Sequence, residues 1–202
     1  MYSAIMSTQE RLVQSTQELL WERGYVGTSP KAILERAGVG QGSMYHHFTG
    51  KSDLALAAIR RTAEGMKETA ETCLGGPGTS YERVAAYLLR ERRVLRGCPI
   101  GRMTQDRDVV QNRELRQPLD EMFDWLQGRI TEVLAEGQRR GELAAGLDPA
   151  AIAATVAAVV QGGYVLARAA DDTAPFDAAV RGALSLLAAQ VTPGASAQPA
   201  AG

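Results

Sequence analysis

Apolar positions recur at three- and four-residue spacings along most of the chain, and no segment alternates with the two-residue period of a strand. Leu12, Thr16, Leu19 and Leu20 share one face, with Thr8 as a cap and Gly24 as a stop, which predicts a first helix. Ser29 caps a second, with Pro30 at its first position, where a missing N–H costs nothing. Ala32, Ile33, Leu34 and Ala37 supply its buried side, and Gly38 ends it. A third short helix is expected from about Gln41 to His47, and Gly50 and Asp53 open a long fourth over residues 51–74. After the break at Gly75–Ser80, Thr79 and Glu82 form a capping-box pattern for a helix reaching Arg96. Gly97–Gly101 breaks again, and the stretch to Asn112 reads as irregular or briefly helical. Leu115, Leu119, Met122, Phe123, Leu126, Ile130, Val133 and Leu134 then mark a long amphipathic helix ending near Gly141. Asp148–Pro149 start an alanine- and valine-rich helix to Ala170, and a last helix runs from Pro175 to Gln190. The expectation is an all-α fold of about nine helices, with a boundary near residue 50. Residues 192–202 carry no run of large apolar side chains and are expected to be a disordered tail.

The 202-residue length is enough for a sizeable core, and 45% apolar with 22% charged residues fits an ordinary globular protein. No apolar run is expected to cross a bilayer, no secretory signal is read at the start, and a cytoplasmic location without membrane association is expected. The formal net charge of −1 means that any affinity for nucleic acid must come from a local patch. Two cysteines make no disulfide framework. An antiparallel return of the helix after Gly75–Ser80 would put Cys73 and Cys98 on the order of 25 Å apart, beyond disulfide reach.

Ser29–Phe48 carries the most specific pattern. Two short helices are joined by Ala37-Gly38-Val39-Gly40. A tight turn between crossed helices needs a small residue at the contact, one that tolerates positive φ, and an apolar plug; Ala37, Gly38 and Val39 fill these roles. This is the specification of a helix-turn-helix, whose second helix enters the major groove with its N-terminal residues nearest the bases. Here those residues are Gln41, Gly42 and Ser43, small or polar and poor core formers. The neighbouring His46 and His47 point about 100° apart on a helix, so they do not converge on a metal ion. His46 is read as a DNA or phosphate contact and His47 as a packed, hydrogen-bonded residue. No metal and no cofactor is implied. An enzyme would need a converging nucleophile, base and orienting group, and none is legible.

The segment Thr28–Leu54, TSPKAILERAGVGQGSMYHHFTGKSDL, resembles the DNA-binding region of the TetR/AcrR family of transcriptional regulators. The resemblance covers residues 8–60 sharply and is architectural beyond them. Two departures stand out: Gly40, where the family often has Ser or Thr, and Gln41, where lysine is common. The resemblance implies an N-terminal three-helix helix-turn-helix DNA-binding domain over residues 1–50 and a C-terminal helical bundle for ligand binding and dimerisation over 51–191. It further implies that Thr28 and Lys31 hold phosphate, that Gln41 and Ser43 face base edges, and that Tyr45 and His46 reach backbone or bases; Gly42 would let the backbone approach DNA closely. Lys51 would bind phosphate at the N-terminus of the fourth helix.

The implied ligand is a small, largely apolar effector. Its expected pocket draws on Met66, Cys98, Met103, Met122, Phe123, Trp125, Gln161 and Tyr164. Broad apolar faces on the last two helices imply a homodimer through Val156, Val159, Val160, Val180, Ala183, Leu184 and Leu187. The expected function is a repressor released by that effector from a palindromic operator on double-stranded DNA. An alternative is a redox- or electrophile-sensing repressor acting through Cys98, which has Arg96 and Arg102 close in sequence. A helical protein–protein adaptor is the third reading.

Overall fold

The computed structural model describes residues 6–193, so the expected tail lies, from residue 194, outside the described residues. Ten α-helices and one 3₁₀ turn make up the described chain: α1 (Thr8–Arg23), α2 (Pro30–Ala37), α3 (Gln41–His47), α4 (Lys51–Leu74), α5 (Ser80–Leu89), α6 (Pro99–Met103), α7 (Arg107–Gln111), α8 (Arg113–Arg139), α9 (Pro149–Ala170) and α10 (Ala174–Ala188). The stretch read as irregular or briefly helical is thus two five-residue helices, α6 and α7. By packing, the chain divides into two compact units, one of Met1–Gly65 with Cys98–Glu121, the other of Met66–Gly97 with Met122–Gly202.

In the first unit, α1 packs on α2, α3 and α6. Its cap is Ser7, one residue before the expected Thr8, because Glu10 completes a capping box. Ser7 Oγ accepts from the Glu10 N–H at 3.2 Å, and the Glu10 carboxylate accepts from the Ser7 N–H at 2.7 Å. Leu12, Leu19, Ile33, Met44 and Leu54 are all but fully buried, each worth about 1.5–3 kcal/mol in transfer free energy. Asp53 accepts from the N–H and the hydroxyl of Thr49 at 3.0 and 3.3 Å, which fixes the entry to α4.

Thr28 is 1% exposed, and its hydroxyl donates to the Gly24 carbonyl at 2.7 Å. The expectation that it holds phosphate is therefore corrected: this hydroxyl ties the α1–α2 turn together from inside.

In the second unit, α5 ends at Leu89 and does not reach Arg96. Arg92 supplies the reason. Its guanidinium donates to the carbonyls of Tyr87, Leu88 and Arg90, taking up groups that a continuing helix would have bonded. It lies 5.3 Å from the Tyr87 ring and 5.7 Å from that of Phe176, and burial, then the charge of Arg90, pulls its pKa down. Arg83, itself buried, donates to the Leu74 carbonyl at 2.6 Å and to Glu136 at 2.7 Å. That hydrogen bond holds the Glu136 carboxyl below the usual carboxylate range. After α10 the chain returns beside residues 142–144: the Ala144 N–H donates to the Gln190 carbonyl at 2.8 Å and the Thr192 N–H to the Glu142 carbonyl at 2.9 Å.

Helix α9 is 22 residues long and has a mean hydropathy of 1.7 over an 18-residue stretch, enough by length and composition to cross a bilayer, which corrects the expectation that no run would reach this. One side of it is consumed in the second unit, where Val156, Val160, Tyr164 and Ala167 are buried and α10 packs along it. Gly163 lets the Phe176 ring in, since a Cβ there would stand 2.9 Å from the ring.

Two outcomes follow from these contacts. Gly163→Ala should destabilise the fold by about 1–3 kcal/mol through overpacking, read as a lowered midpoint in chemical denaturation. Thr28→Val keeps the volume and removes one buried hydrogen bond; a loss of about 1 kcal/mol is expected, and an unchanged denaturation midpoint would contradict the tie to Gly24.

Candidate nucleic-acid interface

The turn between α2 and α3 is built as its residue types require. Ala37 is buried at the contact, and Gly38 closes α2 in the left-handed conformation, φ 62° and ψ 40°. The Gly38 N–H donates to the Glu35 carbonyl at 3.3 Å and the Val39 N–H to the Leu34 carbonyl at 3.2 Å, with the Val39 side chain half-buried as the plug. Arg11 of α1 reaches across and donates to the carbonyls of Ala37 and Gly38. A side chain at position 38 would need the left-handed conformation and would also meet this guanidinium, 2.9 Å from the added Cβ.

Helix α3 divides its seven residues cleanly. Met44 is buried, and Phe48, which ends the helix, is 6% exposed. Gln41, Gly42, His46 and His47 are exposed, Tyr45 is 55% exposed, and Ser43 is half-buried. Gly40 caps the helix with no side-chain bond, leaving the first N–H groups unclaimed by any hydroxyl. A Cβ at Gly40 or Gly42 would meet nothing within 4 Å, so the backbone here is open to close approach. His47 is not packed as expected. Its ring is exposed and makes edge contacts to His46 at 4.8 Å and Phe48 at 6.5 Å.

The expected phosphate contacts differ in readiness. The Lys31 side chain is 86% exposed and faces Glu35 at 3.9 Å, an exposed pair worth little. Lys51 is half-buried, with its Nζ 4.0 Å above the centre of the Tyr25 ring. Burial lowers its pKa, opposed by Asp106 and Asp108. Asp106 holds the same turn: its Oδ2 accepts from the Val26 N–H at 2.9 Å. Neither Arg11 nor Asp106 was legible as part of this region. Arg11 looks like any solvent-facing residue of an amphipathic helix, and Asp106 comes from a segment 80 residues further on.

The expected ligand-pocket residues fall in both packing units. Cys98 and Met103 belong to the first and are buried; Met66, Met122, Phe123, Trp125, Gln161 and Tyr164 belong to the second, with Met122 and Tyr164 buried and the others half-buried. The first unit holds a cleft of about 10 Å³, room for about one water, between Gln17, Leu20, Trp21, Ile59, Thr62, Pro99, Ile100 and Met103. Of the expected pocket residues, only Met103 lines this cleft. Both cysteines are free thiols. Cys98 is 5% exposed and serves as the cap of α6, its Sγ accepting from the Gly101 N–H at 3.2 Å.

The dimer face is corrected in part. Val156, Val160, Val180 and Leu187 are 2–3% exposed, taken up inside the protomer, while Val159, Ala183 and Leu184 are half-buried. The large apolar residues that do face outward on α9 and α10 are Val165, Leu166 and Leu186, at 55%, 56% and 72% exposure. Hydropathy alone favoured the valines, because a buried and an exposed stripe run side by side on an alanine-rich helix.

The relatives of this chain agree with this geometry. Residues 12–58 match the family model of bacterial regulatory proteins of the tetR family, and residues 80–183 match the tetracyclin repressor-like C-terminal domain. An HTH-type transcriptional regulator of Mycobacterium tuberculosis is 28% identical over 198 residues, covering 91% of this chain and 95% of that one. Among solved structures, a TetR transcriptional regulator from Chloroflexus aurantiacus superimposes with a TM-score of 0.83 at 28% identity, covering 91% of this chain and 96% of that one. The regulator CifR, solved with a 26-base-pair operator DNA, shares the fold with a TM-score of 0.75 at 23% identity, over 93% of this chain and 99% of its own. With the C-terminal model alone covering half of its length and the helix-turn-helix built as described, the chain belongs to the TetR family of transcriptional regulators.

Proposed function

We propose that the chain is a homodimeric, ligand-responsive repressor that binds a palindromic operator through α3 and is released by a small, largely apolar effector. Residues 1–50 act as the DNA-binding head and residues 51–191 as the ligand-binding and dimerisation part, working in the cytoplasm where the operator is. The observation that carries this reading is the split of α3. Met44 and Phe48 anchor it, while Gln41, Gly42 and Tyr45 remain open on the other side. Gln41 can pair in two places with an adenine edge, and Tyr45 and His46 can reach the sugar–phosphate backbone. A net charge of −1 leaves the attraction to local cations, with Lys31 and Lys51 as the phosphate contacts. The exposed Val165, Leu166 and Leu186 support association of two protomers through α9 and α10, which would set two copies of α3 about one DNA turn apart, about 34–36 Å. Burial of Cys98 and its part in capping α6 favour the ligand-responsive reading over thiol sensing.

Selection from a random-sequence DNA pool with the purified protein should return a palindrome; failure to enrich any sequence would defeat the proposal. On that operator, Gln41→Ala should cost about 1–3 kcal/mol and relax the base preference at one position of each half-site, measured by competitive gel shift. Leu186→Asp should convert the dimer to a monomer in sedimentation and weaken operator binding with it. A variant that stays dimeric would move the interface elsewhere.

A further inference from the structure

Lys51 stands out in the first unit. It heads α4, where a DNA phosphate would meet both its charge and the helix N-terminus. Yet its ammonium is folded back 4.0 Å over the Tyr25 ring. Burial there disfavours the charged form, and Asp106 and Asp108 are the groups whose fields offset that cost. Both aspartates sit at the start of α7, within the segment 98–121 that packs in the same unit as α1–α3.

Asp106 is built into the turn that carries Tyr25. Its Oδ2 accepts from the Val26 N–H at 2.9 Å and its Oδ1 from the Asp108 N–H at 3.3 Å. A Cβ at Gly24 would lie 3.2 Å from Oδ2, so the carboxylate also occupies the space beside that glycine. Both oxygens are engaged by neutral backbone donors, and the negative charge is left to act on what lies nearby.

We propose that Asp106, seconded by Asp108, is an internal competitor for Lys51: the carboxylates at the start of α7 hold the ammonium on Tyr25, and operator binding requires exchanging them for a DNA phosphate. A phosphate offers a direct charge-assisted hydrogen bond, which the through-space pull of the aspartates does not. The exchange is therefore favourable on DNA, and the restraint reduces affinity by what it costs to release. Any displacement of the segment 98–121 would change this restraint without touching α3. The proposal rests on Lys51 being a phosphate contact, as proposed above.

A double-mutant cycle on the operator separates the two ideas. Asp106→Asn removes the charge and keeps an acceptor for Val26, while its amide NH2 replaces the oxygen that accepts from the Asp108 N–H. At one fixed ionic strength it should tighten operator binding about three- to tenfold in the otherwise unaltered protein. In a Lys51→Met background that gain should vanish. Asp108→Asn, which leaves the Val26 bond alone, should give a smaller gain with the same dependence on Lys51. Equal gains in both backgrounds would mean a general loss of repulsion from DNA and would overturn the competitor role, as would weaker binding by Asp106→Asn. If Lys51→Met alone leaves operator affinity unchanged, the phosphate assignment of Lys51 falls, and the competitor role with it.

Discussion

A seven-residue helix cannot hold itself in water; about two turns of hydrogen bonds do not offset the ordering it requires. Helix α3 exists because Met44 and Phe48 are driven into the core of the first unit. Four residues apart, they leave the helix on one side only, which dictates which of its residues can meet a partner. Gly38 and Arg11 then set its angle, the one through a left-handed backbone and the other by binding the last carbonyls of α2. The outward presentation of Gln41 and Tyr45 is a by-product of this anchoring and uses no contact of their own.

The helices with local start and stop signals were legible from the chain alone. Ser29 with Pro30, Thr79 with Glu82 and Asp148 with Pro149 each cap where the pattern places them. The expectations fail where a nearby side chain takes up a backbone group, which the apolar pattern does not show. The end of α5 depends on Arg92 folding back on the helix, and a capping box with Glu10 moved the cap of α1 from Thr8 to Ser7. Thr28 sits in a phosphate-binding pattern and yet is buried, because Gly24 offers its carbonyl four residues earlier.

The same distinction holds for the candidate sites. Exposure along α3 follows from periodicity, so Gln41, Gly42, Tyr45 and His46 were accessible to sequence reasoning. The link between the α1–α2 turn and Asp106 was not, since nothing local marks a residue 80 positions away as a partner. Alanine-rich α9 shows a third limit: helical period identifies its faces, but when both are apolar only packing tells which one the protomer keeps.

The bend after α5 hangs on the shape of one planar cation. Three carbonyls, of Tyr87, Leu88 and Arg90, converge on the two terminal nitrogens of Arg92, flanked by aromatic rings. A lysine would keep the charge but carries a single nitrogen and no flat face to lay on Tyr87 and Phe176. Position 92 should thus drift little in descendants of this chain, with isosteric neutral forms excluded by the lost donors and ammonium by geometry, even though its side chain takes no part in reading DNA.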